Sequence, residues 1–356
     1  MHLLATVTAH GLGHLAQTAP VIEALRRRLP NLQLTVASSL PPERLRLRID
    51  GPFRIEPRAL DFGFVMHDAF RVDLQVSAAR YRALHADWPA QVAQTRAWLQ
   101  ALQPDALLCN AAYLPLAAAA ELGLPAYGMS SLNWADLFDH LYAGETWAAP
   151  IHAQMLHAYR SATAFLKLQP GMDMPLLPNG RWMGPVARLG AARRDALRRQ
   201  LRLGPDQKVV LVAFGGIDAQ LPMAQWRHEP GLHWLVPADW QVRHPQVSDI
   251  EALGWHFSDL LASVDALLGK PGYGSFVEAA CAGTPVLYAP RPGWPEQEPL
   301  VRWLRLHARA AEVDPAALQT GALAGALQRL WQQPAPQPVA LTGADEVAAC
   351  LAAHTL

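Results

Sequence analysis

Short apolar runs alternate with amphipathic segments along the first half of the chain. The run 3–8 is followed by a glycine-containing turn and then by a helical pattern that continues to Arg28. This order of strand, turn and helix is typical of a doubly wound α/β domain. The same pattern predicts further strands at 32–37, 53–57, 106–109 and 126–130, and helices at 78–101 and 115–122.

The alternation starts again near residue 205. The clearest strand of the chain, 208–214, ends in Gly215 and Gly216, and further strands are predicted at 232–236, 265–268 and 286–288. The prolines and glycines between residues 171 and 188 are typical of a linker. We therefore expect an α/β protein of two Rossmann-like domains, with bounds at 1–170 for the first, 171–188 for the linker and 189–340 for the second. A C-terminal helix within 341–356 is expected to cross back onto the first domain.

Two glycine-rich turns directly follow predicted strands. The first contains Gly11 and Gly13, and the second spans 269–274. Glycines let backbone N–H groups approach a ligand closely, and the N-terminus of the following helix adds a partial positive charge. Ligands of open parallel sheets bind outside the carboxyl ends of the strands. Both turns are thus expected to meet in a cleft, and the second predicts a phosphate site built from Gly272, Tyr273, Gly274 and Ser275.

The composition narrows the classes of function. Lys plus Arg and Asp plus Glu both total 30, so the formal net charge is zero and no bulk attraction to nucleic acid is expected. Three cysteines without CxxC spacing indicate a reduced, cytoplasmic protein. No basic leader and no long apolar run is present, so membrane contact is expected to be peripheral at most. The basic run 44–58 predicts a solvated face, with an anionic lipid surface as the alternative.

Several short motifs occur in a fixed order. They are His-Gly-Leu-Gly-His at 10–14, Asp-Phe-Gly at 61–63, Phe-Gly-Gly at 214–216, Leu-Gly-Lys-Pro-Gly-Tyr-Gly at 268–274, Glu-Ala at 278–279 and Glu-Pro at 298–299. With these motifs the chain resembles the GT-B glycosyltransferases, in particular the glycosyltransferase-like N-terminal half of the plant L-arabinokinases. It is more distantly similar to the peptidoglycan N-acetylglucosaminyltransferase and the UDP-glycosyltransferases. The kinase half is absent, so sugar phosphorylation is not expected.

The resemblance implies where the substrates bind. It places a nucleoside diphosphate sugar in the second domain and the acceptor in the first. Glu278 is then expected to bind the ribose hydroxyls, and Gln297 and Glu298 the hydroxyls of the donor sugar. The expected activity is transfer of a sugar to a hydroxyl on a small-molecule or lipid-linked acceptor. No cofactor is expected besides the co-substrate, a UDP- or GDP-sugar.

Residues around the second turn have alternative interpretations. The spacing of Ser275 and Glu278 also fits a capping box, in which the glutamate hydrogen-bonds its own helix. Lys270 is one of three lysines in the chain, and a compact ammonium beside the turn fits a phosphate or sugar contact. An incidental surface lysine is the alternative. Gly215 and Gly216 would let backbone amides reach the donor.

His14 is the candidate general base. A helix N-terminus disfavours imidazolium, so the ring is expected to stay neutral and to accept a proton from the attacking hydroxyl. Asn110, however, falls where many members of the resembled superfamily carry an aspartate. A donor-phosphate contact or a packing role for His14 therefore remains open, and His10 is the rival base.

Acidic residues between the first domain's strands complete the candidate site. Asp61 and Asp68 are interpreted as groups that line the cleft on the acceptor side or cap local structure, and their spacing fits no standard metal site. A metal-independent reaction is expected. Two alternative functions stay open at this point: a nucleotide-sugar hydrolase or epimerase on the same fold, and a non-catalytic nucleotide-sugar-binding regulatory module, which Asn110 favours.

Overall fold

Two parallel β-sheets make up the computed structural model, which describes residues 1–215, 221–336 and 339–353. The first sheet contains β1 (His2–Val7), β2 (Gln33–Ala37), β3 (Arg54–Glu56), β4 (Ala106–Asn110), β5 (Ala126–Ser130), β6 (Ala164–Leu168) and β7 (Gly180–Met183). The second contains β8 (Lys208–Ala213), β9 (Leu232–Val236), β10 (Val247–Asp249), β11 (Ala266–Gly269), β12 (Val286–Tyr288) and β13 (Ala310–Glu312). The lateral orders are β3-β2-β1-β4-β5-β6-β7 and β10-β9-β8-β11-β12-β13. Because both orders reverse near their first strand, the predicted pair of doubly wound domains is confirmed.

Helices cover both sheets. Those of the first half are α1 (Gly13–Arg28), α2 (Pro42–Arg46), α3 (Leu74–His85), α4 (Trp88–Leu102), α5 (Leu114–Glu121), α6 (Trp134–Tyr142) and α7 (Ala148–Arg160). The others are α8 (Arg194–Leu201), α9 (Phe257–Ser263), α10 (Tyr273–Ala282), α11 (Gln297–His307), α12 (Pro315–Thr320), α13 (Ala324–Gln332) and α14 (Gly343–Ala352). Single 3₁₀ turns lie at Met223–Gln225, Ala238–Trp240 and Glu251–Leu253. Among the described residues, no helix has the length and apolar character that crossing a bilayer requires.

The central strands are buried on both faces. All five residues of β4 and of β5 are buried, and so are the four of β11. Strands with helices on both sides of the sheet lose the alternation of apolar and polar residues and become continuous apolar runs. This is the reason that the sequence pattern located them well.

The predicted helix 78–101 is wrong in its extent, because it is two helices, α3 and α4. The Asp87 carboxylate accepts a hydrogen bond from the Ala90 N–H, and Pro89 lies in the first turn of α4. An aspartate N-cap and a proline in the first turn both favour a new helix start. The apolar periodicity continues across this break and therefore hid it.

The segment predicted as a linker contains a strand of the first sheet. Within 171–188, β7 pairs in parallel with β6, so the chain leaves the first sheet only after Met183. β7 is four residues long, lies at the sheet edge and has no fully buried residue. Such a strand lacks the apolar run by which a central strand is recognised.

The last helix lies against the first domain. α14 packs on α1, and it buries Val347, Ala348 and Leu351. An ion pair of 3.1 Å joins Arg27 to Asp345 at the edge of this contact. The second domain is thereby tied to the first through its C-terminal segment as well as through residues 184–193.

Candidate active site

The two glycine-rich turns meet between the domains. The N–H of Leu12, just before α1, donates to the carbonyl of Gly215, just after β8, at 3.3 Å. In the first turn of α10, a Cβ at Gly274 would lie 2.9 Å from the Cβ of Ala16. Glycine at 274 is therefore required for this approach. Gly216 lies outside the described residues.

Both helix N-termini at this contact lack a side-chain cap. The N-cap residues are Leu12 for α1 and Gly272 for α10, and neither accepts a hydrogen bond from the first turn with its side chain. The first N–H groups of a helix carry partial positive charge and have no partner within the helix. Two such termini in contact favour the binding of an anion between them.

The predicted capping box does not form. α10 begins at Tyr273, so Ser275 lies inside the first turn and not at the N-cap. The hydroxyl of Tyr273 donates to the Gln169 carbonyl and accepts the N–H of Val186, both at 2.9 Å. Tyr273 thus fixes α10 to the segment that connects the domains, and its hydroxyl is used by the protein itself.

Glu278 is buried at the domain interface and already has a partner. Its Oε1 accepts a hydrogen bond of 2.7 Å from the guanidinium of Arg48, which belongs to the first domain. Its Oε2 is buried without a partner among the residues that the structure describes. Burial raises the pKa of Glu278, against the opposing charges of Arg48 and Arg188. Arg48 belongs to the basic run 44–58, which was interpreted as a solvated face. For Arg48 this interpretation is wrong, because its guanidinium pairs with a buried carboxylate.

Lys270 is buried between the two turns. Its side chain is 7% exposed, which contradicts the alternative of an incidental surface lysine. The Nζ atom would lie 3.8 Å from a Cβ at Gly215. Burial is the main cause that lowers the pKa of Lys270 to about 7, and repulsion from the charge of Arg291 is the second. The charge of Glu296 opposes the shift.

Arg291 is a site residue that the sequence analysis missed. It follows β12 and is 3% exposed, and its guanidinium lies 3.6 Å from the centre of the Trp294 ring. Burial lowers the pKa of Arg291 to about 10, with Glu296 and Asp68 acting in the opposite direction. Arg291 stands between two prolines, outside any helical or strand pattern, so no periodicity in the sequence identifies it as a site residue. Its place after a buried strand is the one signal that the sequence offered.

Glu296 takes the position that was expected for Glu298. The Glu298 side chain is 84% exposed and pairs with Arg302 at 3.6 Å, so its geometry does not fit a donor contact. Glu296 is buried, and its two oxygens accept hydrogen bonds from the Ser131 hydroxyl at 2.6 Å and from the Trp294 indole at 3.1 Å. Gln297 accepts the backbone N–H of Arg291 and so shapes the loop after β12.

Asn110 fixes the orientation and the tautomer of His14. The Asn110 amide nitrogen lies within 3.1 Å of three acceptors, which are the His14 carbonyl, Gln17 Oε1 and Thr18 Oγ1. Its oxygen therefore faces His14 Nδ1, at 2.7 Å. Because an amide oxygen only accepts hydrogen bonds, Nδ1 carries the proton and Nε2 keeps its lone pair.

The buried His14 is neutral at physiological pH. Burial lowers the pKa of His14 to about 4, and the hydrogen bond with Asn110 only partly opposes this. The ring lies edge-on to Trp134, with 5.5 Å between the ring centres. Among the described residues Nε2 has no hydrogen-bond partner, and a neutral imidazole of this kind at a helix N-terminus is able to accept a proton.

His10 lies between aromatic side chains of both domains. It stacks on Trp294 with ring centres 5.8 Å apart, and it meets the edge of Trp134 at 5.4 Å. Burial lowers the pKa of His10 well below its ordinary value, with the charge of Arg291 as the next cause. Gly63 has a positive φ of 61°, and a Cβ there would lie 2.8 Å from Trp134 and 3.1 Å from His10.

The acidic residues of the first domain have separate roles. Asp61 accepts the indole N–H of Trp134 at 2.7 Å, and burial raises the pKa of Asp61 to about 6. Asp68 accepts the N–H groups of Phe70 and Arg71 and pairs with the Arg71 side chain, so it stabilises a turn. In residues 1–215, 221–336 and 339–353, no three His, Cys, Asp or Glu side chains are grouped so that they could hold a metal ion.

Solved glycosyltransferases share this architecture over nearly the whole chain. The glycotransferase of kitacinnamycin aligns with a TM-score of 0.61 and 17% identity, covering 99% of this chain and 94% of its own. A UDP-glucosyltransferase from Polygonum tinctorium aligns with a TM-score of 0.60 and 16% identity, and the alignment covers 99% of this chain and 98% of that enzyme. The glycosyltransferase VinC, solved in complex with dTDP, aligns with a TM-score of 0.56 and 18% identity, and the alignment covers 99% of both chains. The chain has the GT-B fold.

The sequence is also similar to that of a plant protein. The L-arabinokinase of Arabidopsis thaliana is 26% identical in an alignment of 305 residues that covers 83% of this chain. The chain spans 29% of the length of that relative. No family model matches the sequence. The fold and the arrangement of the cleft therefore carry the functional argument.

Proposed function

We propose that this GT-B protein is a metal-independent glycosyltransferase. It takes a sugar from a nucleoside diphosphate sugar held by the second domain and passes it to a hydroxyl of an acceptor held by the first. The observation that carries this proposal is the contact of two uncapped helix N-termini, α1 and α10, beside the neutral His14. Two of the solved neighbours, a UDP-glucosyltransferase and an enzyme in complex with dTDP, support a nucleotide-linked donor.

The donor binds through its diphosphate and ribose. The free N–H groups at the start of α10 hydrogen-bond the phosphate oxygens, and the partial charge of the helix terminus stabilises them. Glu278 binds the ribose hydroxyls once Arg48 has moved away from its carboxylate. Donor binding is thereby coupled to a rearrangement at the domain interface.

His14 takes the proton in the transfer step. The acceptor hydroxyl hydrogen-bonds to Nε2, and its oxygen attacks the anomeric carbon as the proton moves to the ring. The bond between that carbon and the diphosphate oxygen breaks, and its electron pair leaves with the nucleoside diphosphate. Asn110 keeps Nδ1 protonated and the ring in place during the transfer. General base catalysis of this kind contributes about 10²- to 10⁴-fold in rate.

A second candidate is a nucleotide-sugar-binding module without activity. Two observations favour it. Asn110 orients His14 but, as a neutral amide, cannot balance the charge of an imidazolium, and Glu278 is paired within the protein. Tight binding of a nucleotide sugar without turnover is the result that this candidate predicts. A hydrolase or epimerase would instead release free sugar or convert the donor without any acceptor.

Calorimetry with UDP, GDP, TDP and CMP tests the donor site. We expect one diphosphate to bind, and turnover of its sugar conjugate to continue in the presence of a chelator. The variant E278Q should weaken nucleotide binding by roughly 10- to 100-fold, the range expected for hydrogen bonds to a charged group. E298Q is the matched control, because it makes the same change at Glu298, whose side chain is exposed. Failure of all four nucleotides to bind contradicts the proposal.

A further inference from the structure

Two buried cations lie at the carboxyl ends of adjacent strands of the second sheet. Lys270 follows β11 and Arg291 follows β12, and both are less than a tenth exposed. They are close enough for the charge of Arg291 to lower the pKa of Lys270. Burying two like charges together is unfavourable unless an anion joins them.

Among the residues that the structure describes, neither cation has a carboxylate at ion-pair distance. Within the described ranges, the Lys270 ammonium has no hydrogen bond or ion pair. The Arg291 guanidinium has Met66 Sδ at 3.4 Å and the face of Trp294, and its Nε has no partner. Glu296 acts on both cations electrostatically, but its oxygens accept hydrogen bonds from Ser131 and Trp294.

The neighbouring histidines do not compensate this charge. His10 is affected by Arg291 and Lys270 together, and its Nε2 is buried without a partner in the described part of the chain. His14 lies next to His10 and is neutral as well. Asp68 also acts on the charge of Arg291, but its carboxylate pairs with Arg71. The cluster of Lys270, Arg291, His10 and Glu296 thus carries a net positive charge, and an anionic ligand would complete it.

The position of Arg291 distinguishes between the anions that a donor could bring. In the proposed function, the uncapped N–H groups of α10 bind the diphosphate. Arg291 lies instead against Trp294, whose ring stacks on His10, and therefore on the side of the cleft where the transferred sugar meets His14. We propose that Lys270 and Arg291 bind a carboxylate on the transferred sugar, so that the donor is the nucleotide conjugate of a sugar acid. This inference rests on the proposed function.

Paired donors that differ by one carboxylate test the inference. With the nucleotide found by calorimetry, the affinities for its glucuronate and glucose conjugates, and for its galacturonate and galactose conjugates, are compared. We expect at least one acidic sugar to bind roughly tenfold or more tightly than its neutral partner, as a charge-assisted contact would give. R291Q and K270M should each remove that preference while the affinity for the free nucleoside diphosphate stays within about twofold. R302Q, at an exposed ion pair, is the control.

The readouts separate this inference from the proposed function. Equal binding of acidic and neutral donors by the unaltered protein overturns the sugar assignment and leaves the glycosyltransferase proposal intact. If R291Q weakens the free diphosphate as strongly as the acidic donor, the cations bind the phosphates and the inference is wrong. A carboxylate preference that is found for acceptors and not for donors also overturns it. Absence of any nucleotide binding rejects the proposed function itself.

Discussion

The turn between β1 and α1 and the turn between β11 and α10 are built alike but surrounded differently. Each follows a buried strand and ends at a helix N-terminus without a side-chain cap. The first is backed by β4, whose last residue, Asn110, hydrogen-bonds to His14. The second is backed by β8, which is followed by Gly215, a residue without a side chain. The same local structure therefore holds a neutral imidazole in one domain and a buried lysine in the other, and the proposed function uses the first for proton transfer and the second domain's turn for donor binding.

Removal of the imidazole gives the largest effect and tests the first half of this comparison. We expect H14Q to lower turnover by about 10²- to 10⁴-fold, the range for loss of a general base. Nucleotide affinity should not change, because that belongs to the other turn. H157Q, at an exposed position of α7, is the control. Turnover by H14Q at the unaltered rate would show that His14 has a packing role.

The contact between the turns is tested by adding one methyl group. In G274A the new Cβ would lie 2.9 Å from the Cβ of Ala16, so the helices must separate by a few tenths of an ångström or more. We expect turnover to fall by up to about 10²-fold, since small misplacements of the reacting groups have effects of that size. G325A changes the same residue type in the first turn of α13, where the nearest atom is the end of a flexible arginine at 3.6 Å. Similar turnover of the two variants would contradict a close functional contact.

The pH dependence tests what Asn110 does for His14. Because the pKa of His14 is lowered to about 4, its base form is present above that pH, and turnover should fall only as the pH drops towards 4. In N110D a carboxylate beside the ring favours imidazolium, so the acid limb of the rate profile should move up by about one to three units. Nucleotide affinity over the same pH range is the control. An unchanged profile would exclude His14 as the titrating group.

The lowered pKa of His14 also makes the free energy of unfolding depend on pH. The unfolded protein, with an ordinary His14 pKa near 6.5, binds more protons than the folded protein between about pH 4 and 6.5. The free energy of unfolding therefore decreases as the pH falls through this window, and His14 contributes to the decrease. Unfolding by denaturant at pH 7 and pH 5 should show a smaller pH effect for H14Q than for the unaltered protein.

The smallest effect is expected at the ion pair between the domains. R48Q frees Glu278 of its partner, so nucleotide affinity should rise by roughly three- to tenfold, on the order of 1 kcal/mol. The melting temperature of the unliganded protein should fall, because a buried carboxylate is left without its partner. R54Q removes an exposed arginine of a surface pair with Glu56 and is the control. Weaker nucleotide binding by R48Q would mean that Arg48 itself contacts the ligand.

Local signals predicted the scaffold of the site well. Buried strands, glycine turns and helix starts are properties of contiguous residues, and His10, His14, Lys270 and Glu278 were recognised as candidates from such signals, whereas Asn110 was recognised through the family resemblance. The structure brings these five residues to the interface between the domains. Asp68 and Glu298 were candidates of the same kind, but one stabilises a turn and the other faces solvent. Residue type and position relative to a strand did not distinguish between these outcomes.

The site residues that were missed depend on contacts between distant parts of the chain. Arg291 is defined by burial against Trp294 and Met66, and Glu296 by its hydrogen bond from Ser131 of the other domain. The pairing of Arg48 with Glu278 joins residues 230 positions apart. Burial and partners of this kind arise only when the two domains pack together.

Two doubly wound domains and a glycine turn in each could be predicted from the residues alone, because periodicity and backbone freedom are local properties. The surroundings of each turn depend on how the two domains pack. The tertiary structure placed an amide beside His14, an arginine on Glu278 and a second cation near Lys270. Charge, burial and tautomer depend on neighbours within a few ångströms, and in a two-domain cleft those neighbours come from opposite ends of the chain.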